Sequence, residues 1–436
     1  MNISEKGSSE TFLLDNFDNN FPNKYPGRVV PTNVISTLYP FLSGPINDNK
    51  GVYIGHSALY NTENFIDLKS GPLNNNMIVV GAISEGKSFW LKILAKGLIL
   101  DNMLCVFVDV NGEMKNFTKE VGGIYVDHSG VGGKYIDPLN IPPKIGVEEE
   151  DKKRIIFTIE ALYTTIKILA DDVTPGEENT LDRTVIRLME KFGIDIDDEN
   201  TWDFEHQPFF LKDWWEVLCE DTYSDAESLR LKLSKYFEGS KKSLFKIPQQ
   251  INIPDEYPLI TFNLGNVIEG ADTRVSTAKM IMTLSYIKDL LRIEKLKGKR
   301  YSAVIMDDVQ NLMLDKNARK FVNDLATRIR HWNGLIVAAT NKPHIFWINK
   351  DGSEAETEMW ANSSYKIFFW LEESELAAIS EKVEIPKEIL NYMPNLHATN
   401  HFSIRHLGRG WDICKARVPK SEADLYKTRG LSEDGY

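Results

Sequence analysis

Apolar residues recur along this chain in two periods, and the places where the period changes outline its organisation. Residues 1–27 are polar, rich in Asn, Ser and Asp and without periodicity, and read as a flexible tail or linker remnant. From "GVYIGHSALY" and "NFIDL" the pattern turns to short β-type runs broken by Gly and Asn. "NMIVVG" (76–81) is a β-branched run ending at glycine, and "KSFWLKILAKGLILD" behind it is apolar at helical spacing. "MLCVFVDVNGEM" (103–114) reads as a second buried strand ending in acids, so the three pieces predict parallel strands joined by a crossover helix.

Between 145 and 250 the character shifts to long helical stretches: "EEEDKKRIIFTIEALYTTIKILADD", then "TLDRTVIRLMEKFG", with Thr180 as the expected N-cap and Gly193 past the end. A strand pattern resumes at "YPLITFNLGNV" (257–267), which makes the helical stretch an insertion between sheet strands. A helix over 271–297, a strand at 302–308, a helix over 316–332 and strands at 334–341 and 365–371 follow. This alternation predicts a doubly wound α/β fold with a parallel-rich central sheet. Its first part covers 28–144, an all-helical domain is inserted over 145–250, the second part covers 251–420, and 421–436 form a tail.

Length and composition narrow the class. The chain of 436 residues exceeds what one core usually serves, and 42% hydrophobic residues support a folded protein. No segment approaches the roughly 18 apolar residues of a membrane span, and the start lacks a signal-peptide pattern, so the expected location is the cytoplasm. Cys105, Cys219 and Cys414 are odd in number and far apart, which argues against disulfides or a zinc site. A net charge of −12 is the wrong sign for a protein whose main contacts are nucleic-acid phosphates, although a local basic channel stays open.

The segment Gly81-Ala82-Ile83-Ser84-Glu85-Gly86-Lys87-Ser88 satisfies G-x-x-x-x-G-K-[ST] between a strand and a helix. Backbone N–H groups of such a loop surround phosphate oxygens, the lysine reaches the β and γ phosphates, and the hydroxyl meets Mg²⁺. Gly81, Gly86, Lys87 and Ser88 supply those parts, with Ser84, Glu85 and Phe89 lining the loop and the helix start adding partial positive charge. The alternative is a glycine turn with a solvated lysine. Ser84 stands where glycine would tolerate a backbone conformation that serine enters only at a cost of about 1 kcal/mol or more. Glu85 can point outward, so it does not exclude phosphate.

"AVIMDDVQNL" (303–312) has the form of the distant acid such a loop needs. Asp307 is the candidate for holding magnesium, and Asp308 for orienting or deprotonating the attacking water. Asp109 and Glu113 form a second carboxylate pair, either of which could assist the water. Asn341 ends another strand and could sense the γ-phosphate, or simply end the strand in a turn. Arg328, Arg330, Arg405 and Arg409 are candidates for a finger on a neighbouring subunit's nucleotide. Trp202, Phe209, Phe210, Trp214 and Trp215 read as helical-domain core or partner surface.

The ordered blocks "NNNMIVVGAISEGKSF", "VDVNGEMKNFTKEVGGIYVD", "YIDPLNIPP", "LITFNLGNV", "VIMDDVQNL" and "RHWNGLIVAATN" resemble the TraC/VirB-type conjugation ATPases over about residues 30–420. The specific features are Asp109 to Glu113 followed by Gly122-Gly123, and the Ile-Asp-Pro-Leu-Asn segment at 136–140. The resemblance implies a RecA-like P-loop NTPase core with an inserted helical domain, using ATP and Mg²⁺. It implies a homo-oligomer, often a hexamer, that works with type IV secretion channel and coupling proteins at the inner face of the cell membrane. It places Lys87 and Ser88 at Walker A, Asp307 at Walker B and Arg330 near the family's basic motif.

Ser84-Glu85, Asp308 and Asn341 depart from the family's usual glycine-serine pair, glutamate and glutamine, which points to slow hydrolysis. The family's N-terminal domain is missing, so the chain is expected to be a C-terminal fragment or a shortened member. Two other readings are a DNA translocase or coupling protein related to the FtsK/HerA motors, and a nucleotide-binding scaffold with little turnover.

Overall fold

A computed structural model describes residues 46–70, 74–128, 134–139, 144–202, 209–245, 247–248, 257–265, 273–298, 300–313, 315–347, 355–397 and 399–426. The tail expected over 1–27 lies outside the described residues, as does Asn140 of the Ile-Asp-Pro-Leu-Asn segment.

The elements open with β1 (Val52–Ser57), β2 (Glu63–Ile66) and β3 (Met77–Val80), then helix α1 (Lys87–Leu100), β4 (Met103–Asp109), α2 (Lys115–Glu120) and β5 (Ile124–Asp127). A two-residue strand β6 (Lys134–Tyr135) precedes four helices, α3 (Glu148–Ala170), α4 (Pro175–Lys191), α5 (Leu211–Glu220) and α6 (Ser224–Phe237), and its partner β7 (Ile247–Pro248) follows them. Then come β8 (Leu259–Asn263), α7 (Thr273–Leu296), β9 (Tyr301–Met306), α8 (Lys316–Arg328), β10 (Gly334–Thr340) and β11 (Tyr365–Phe368). Helices α9 (Glu373–Lys382) and α10 (Lys387–Tyr392) lead to the hairpin β12 (His401–His406) and β13 (Gly410–Lys415).

Eleven strands form one sheet in the order β2-β1-β13-β12-β11-β3-β10-β9-β4-β8-β5. From β11 to β5 every neighbouring pair is parallel, and from β11 outward to β2 every pair is antiparallel. The parallel strands are apolar along their length because both faces are covered, so β3, β4 and β10 read as continuous runs rather than alternations. Period two still decides which face each residue serves. Ile78 and Val80 join the core shared with the helical segment and α7, and Met77 and Val79 join the core under α1.

The fold class is the one the sequence predicts, a RecA-like α/β sheet with helices on both faces. The antiparallel hairpin β12–β13 was not predicted as strands. The expected N-cap at Thr180 is also corrected. Thr180 is buried inside α4, which starts five residues earlier with Pro175 in the first turn. Thr174 is the cap, accepting from Glu177 N–H while the Glu177 carboxylate accepts the Thr174 N–H, a closed capping box.

One buried acid ties the segment after β6 to helix α5. Asp137, 2% exposed, accepts the N–H of Leu139 at 2.9 Å, the N–H of Leu211 at 2.9 Å and the Tyr135 hydroxyl at 2.9 Å. It therefore caps the N-terminus of α5 from a distant segment, where an anion also meets the helix dipole. Burial nonetheless pushes its pKa up to about 6. Trp202, Phe209, Trp214 and Trp215 are buried in this region's core, and Phe210 is half-buried beside them.

Replacing Asp137 by Ala strands the Leu139 and Leu211 N–H groups in the interior, so unfolding stability should drop by about 2–4 kcal/mol. Asp137→Asn keeps an acceptor and should cost less than half as much. Chemical denaturation of the two variants measures the difference.

Candidate nucleotide site at the end of strand β3

The loop after β3 is fixed on both sides by main-chain bonds. Gly81 N–H donates to the Thr340 carbonyl at 3.3 Å, and Ala82 N–H to the Trp370 carbonyl at 2.8 Å. Gly81 has no room for a side chain, since a Cβ there would lie 2.6 Å from Phe369 Cβ. Two turns of the loop are left-handed, at Ser84 (φ 66°) and Gly86 (φ 96°). The first bond inside α1 runs from Trp90 N–H to the Gly86 carbonyl, so the N–H groups of Lys87, Ser88 and Phe89 stand at the open end of the helix.

Lys87 is 7% exposed, and its Nζ donates to the carbonyls of Gly81 at 2.8 Å and Ala82 at 2.7 Å. Burial lowers its pKa, while Asp307, Asp308, Glu85 and Glu375 act against that. The ammonium is thus held inside the curve of the loop by weak neutral acceptors that a phosphate oxygen would outcompete.

The acids arrive from the strands on one flank. Asp307, after β9, is 6% exposed, and burial followed by repulsion from Asp308 pushes it up to about 7, while a hydrogen bond from Ser88 acts the other way. Ser88 of the loop and Asp307 are therefore adjacent, although 219 positions apart in the sequence.

Asp308 takes a left-handed backbone (φ 51°). Its carboxylate accepts from the Asn111 amide and from Gln310 Nε2 at 3.0 Å. Gln310 in turn accepts the Thr340 hydroxyl at 2.8 Å, so one hydrogen-bonded chain links the ends of β4, β9 and β10. Asn341 follows Thr340, and its buried Oδ1 has no hydrogen-bond partner among the described residues.

Several expectations need correction. Asp109, 1% exposed, is not open to a water. Its carboxylate accepts the N–H groups of Gly112 at 2.9 Å, Glu113 at 3.2 Å and Met114 at 2.9 Å and shapes the turn into α2. Glu113 follows on the exposed side of the turn, where partial desolvation of its carboxyl raises its pKa, Lys92 acts against that, and Asp109 and Asp308 add to it. Glu85 does not point outward. It is 8% exposed, and its Oε1 lies 2.7 Å from His397 Nδ1. The Phe89 ring sits in the core against Tyr426, with centroids 5.8 Å apart, so only its backbone N–H remains at the loop.

Arg328 and Arg330 precede β10, and Arg405 and Arg409 lie at the turn of the β12–β13 hairpin next to Tyr365. Arg328 and Arg330 sit at the opposite end of β10 from the loop, about 20 Å away along its seven residues, Arg405 lies opposite Lys366 of β11, and Arg409 is paired with Asp48.

Sequence reasoning missed Asn111 and Gln310, the partners of the Asp308 carboxylate, and also Lys92 and Glu375. Lys92 is a buried lysine on α1, 2% exposed, in the field of Glu113, Asp307 and Asp109. Glu375 on α9 adds negative charge near Lys87. The only available signal for Lys92 was a charge inside an otherwise apolar run.

The donor set suits a magnesium–nucleotide pair. Among the described residues no cluster of three or more His, Cys, Asp or Glu side chains could hold a metal on its own. Ser88 and Asp307 offer two adjacent oxygens to a hard cation whose remaining ligands would be phosphate and water, and burial with repulsion from Asp308 keeps the Asp307 pKa raised against the pull of Lys87.

This loop and acid pair, on a parallel sheet with helices on both faces, define the RecA-like class of P-loop NTPase folds. Within that class, the family model of the TraG P-loop domain matches residues 64–345, and the chain belongs to this family. Its structure is similar to that of VirB4 of Thermoanaerobacter pseudethanolicus, with a TM-score of 0.68 at 18% identity over 87% of this chain and 99% of that one. It is also similar to the plasmid coupling protein TrwB in complex with a non-hydrolysable ATP analogue, with a TM-score of 0.50 at 14% identity over 92% of this chain and 96% of that one. No curated protein matches. The resemblance read from the sequence blocks thus agrees with the family and the fold.

Ser84→Gly relieves a left-handed serine, and the gain outweighs the extra freedom of glycine in the unfolded chain. Stability should rise by about 0.5–1 kcal/mol, read as a higher thermal midpoint.

Proposed function

We propose that the protein is a Mg²⁺-dependent ATPase of a conjugative type IV secretion apparatus. The observation that carries this reading is the meeting of Lys87, Ser88 and Asp307 at the carboxyl end of the parallel sheet. Mg²⁺, when bound, neutralises charge on the β and γ phosphates. Lys87 exchanges its two loop carbonyls for phosphate oxygens and stabilises the charge that develops on the leaving group. Ser88 and Asp307 hold the metal, and the backbone N–H groups of the loop and of the α1 start hold the phosphates.

Asp308 orients the attacking water, fixed in place by Asn111 and Gln310, and Glu113 is the second acid within the same field. Asn341 carries a buried carbonyl oxygen at the edge of β10 and reports the state of the γ-phosphate. With both Asp308 oxygens already engaged, the base is weak and turnover slow.

Because Arg330 lies before β10, at the far end of that strand from the loop, it completes the site of a neighbouring subunit in a homo-oligomer, often a hexamer in the family. The oligomer associates with channel and coupling proteins at the inner face of the membrane. Among the described residues no helix is long and apolar enough to cross a membrane.

Steady-state ATP hydrolysis tests this reading. Turnover should rise with protein concentration, ignore added DNA and fall at least 100-fold in Lys87→Ala. Full activity in that variant contradicts the assignment, and stimulation by DNA favours a translocase.

A further inference from the structure

The phosphate loop has a second flank. Strands β10 and β9 bring Asn341, Asp307 and Asp308 to one side of it, and β11 and β12 bring Trp370, His397 and Asn400 to the other. On the nucleotide reading proposed above, on which this inference rests, the acids and Lys87 fix the terminal phosphates on the first side. A triphosphate threaded through the loop then leaves its nucleoside end on the second.

That second flank is built around an aromatic pair. The rings of Trp370 and His397 lie 4.6 Å apart at 47°. They are tied to the loop twice: the Trp370 carbonyl accepts Ala82 N–H at 2.8 Å, and His397 Nδ1 lies 2.7 Å from the Glu85 carboxylate. The Glu85 side chain is 6% accessible and that of His397 60%, so a buried acid orients a ring whose other surface is open. Asn400 closes the edge, its Oδ1 lying 3.1 Å from where a Cβ on Gly86 would be.

A buried carboxylate in an anion-binding loop opposes phosphate. Its place is explained if its task is to aim the imidazole. The 2.7 Å contact between Glu85 Oε1 and His397 Nδ1 fixes the ring plane relative to the loop. Flat, partly exposed rings of this kind bind nucleobases by stacking, whose strength depends on ring area rather than on base-edge hydrogen bonds.

The geometry points to the Trp370–His397 pair as the subsite for the purine ring of the nucleotide, with Glu85 as a positioning residue. Its test compares Mg-ATP with inorganic tripolyphosphate, which has the phosphates and lacks the base, by calorimetric titration. In His397→Ala, ATP affinity should fall about tenfold while tripolyphosphate affinity stays unchanged. His397→Phe keeps a stacking face and should recover most of the ATP affinity. Glu85→Ala, which removes both the orienting group and a negative charge, should lower the ratio of ATP to tripolyphosphate affinity.

Equal losses for both ligands in His397→Ala, or no change for ATP, overturn the purine subsite while leaving the phosphate site intact. If neither ligand binds the unaltered protein, the nucleotide reading itself fails.

Discussion

The site depends on desolvated charge. Lys87 and Asp307 are both buried at the carboxyl ends of strands that flank β10, and each is held by neutral groups: the ammonium by the carbonyls of Gly81 and Ala82, the carboxylate by the Ser88 hydroxyl. Burial without a full counter-charge lowers the pKa of the one and raises that of the other. Such an arrangement costs stability and persists only where the surrounding sheet over-determines it. A ligand carrying both strong negative charge and a divalent cation satisfies the two groups at once.

The sheet supplies that constraint. Its parallel half is covered on both faces, so β3, β10 and β9 cannot slide, and their carboxyl ends arrive in register: Thr340 opposite Val80, and Met306 opposite Ala338. The loop is then fastened from both flanks, to Thr340 on one side and Trp370 on the other. Left-handed backbone at Ser84 and Asp308 falls on either side of the same small space, which is where stored strain is expected in a working site.

Much of this was legible in the sequence because it is local. The strand, loop and helix around Lys87 follow from period and from glycine placement, and the acid pair ends a run of apolar residues. What was not legible is non-local or is satisfied by the backbone. Glu85 pairs with a histidine 312 positions away, which no spacing rule announces. Asp109 looks like a free acid at a strand end, yet three N–H groups of the next turn occupy it. Strands β12 and β13 interleave His, Arg and Gly with their apolar residues, and their identity comes from pairing with β11 and β1 rather than from a clean alternation. Thr174 was passed over in favour of Thr180 because the helix begins at a proline, and the capping box closes only when Glu177 is counted from Thr174.

The charge imbalance at the loop can be measured without relying on turnover. Thermal unfolding should be followed with no ligand, with Mg-ATP over a range of concentrations, and with ATP in excess EDTA. A ligand that satisfies both Lys87 and Asp307 should raise the midpoint steadily with the logarithm of Mg-ATP concentration, and ATP without the metal should raise it much less. A midpoint that does not move with Mg-ATP would contradict a nucleotide site at Lys87, Ser88 and Asp307.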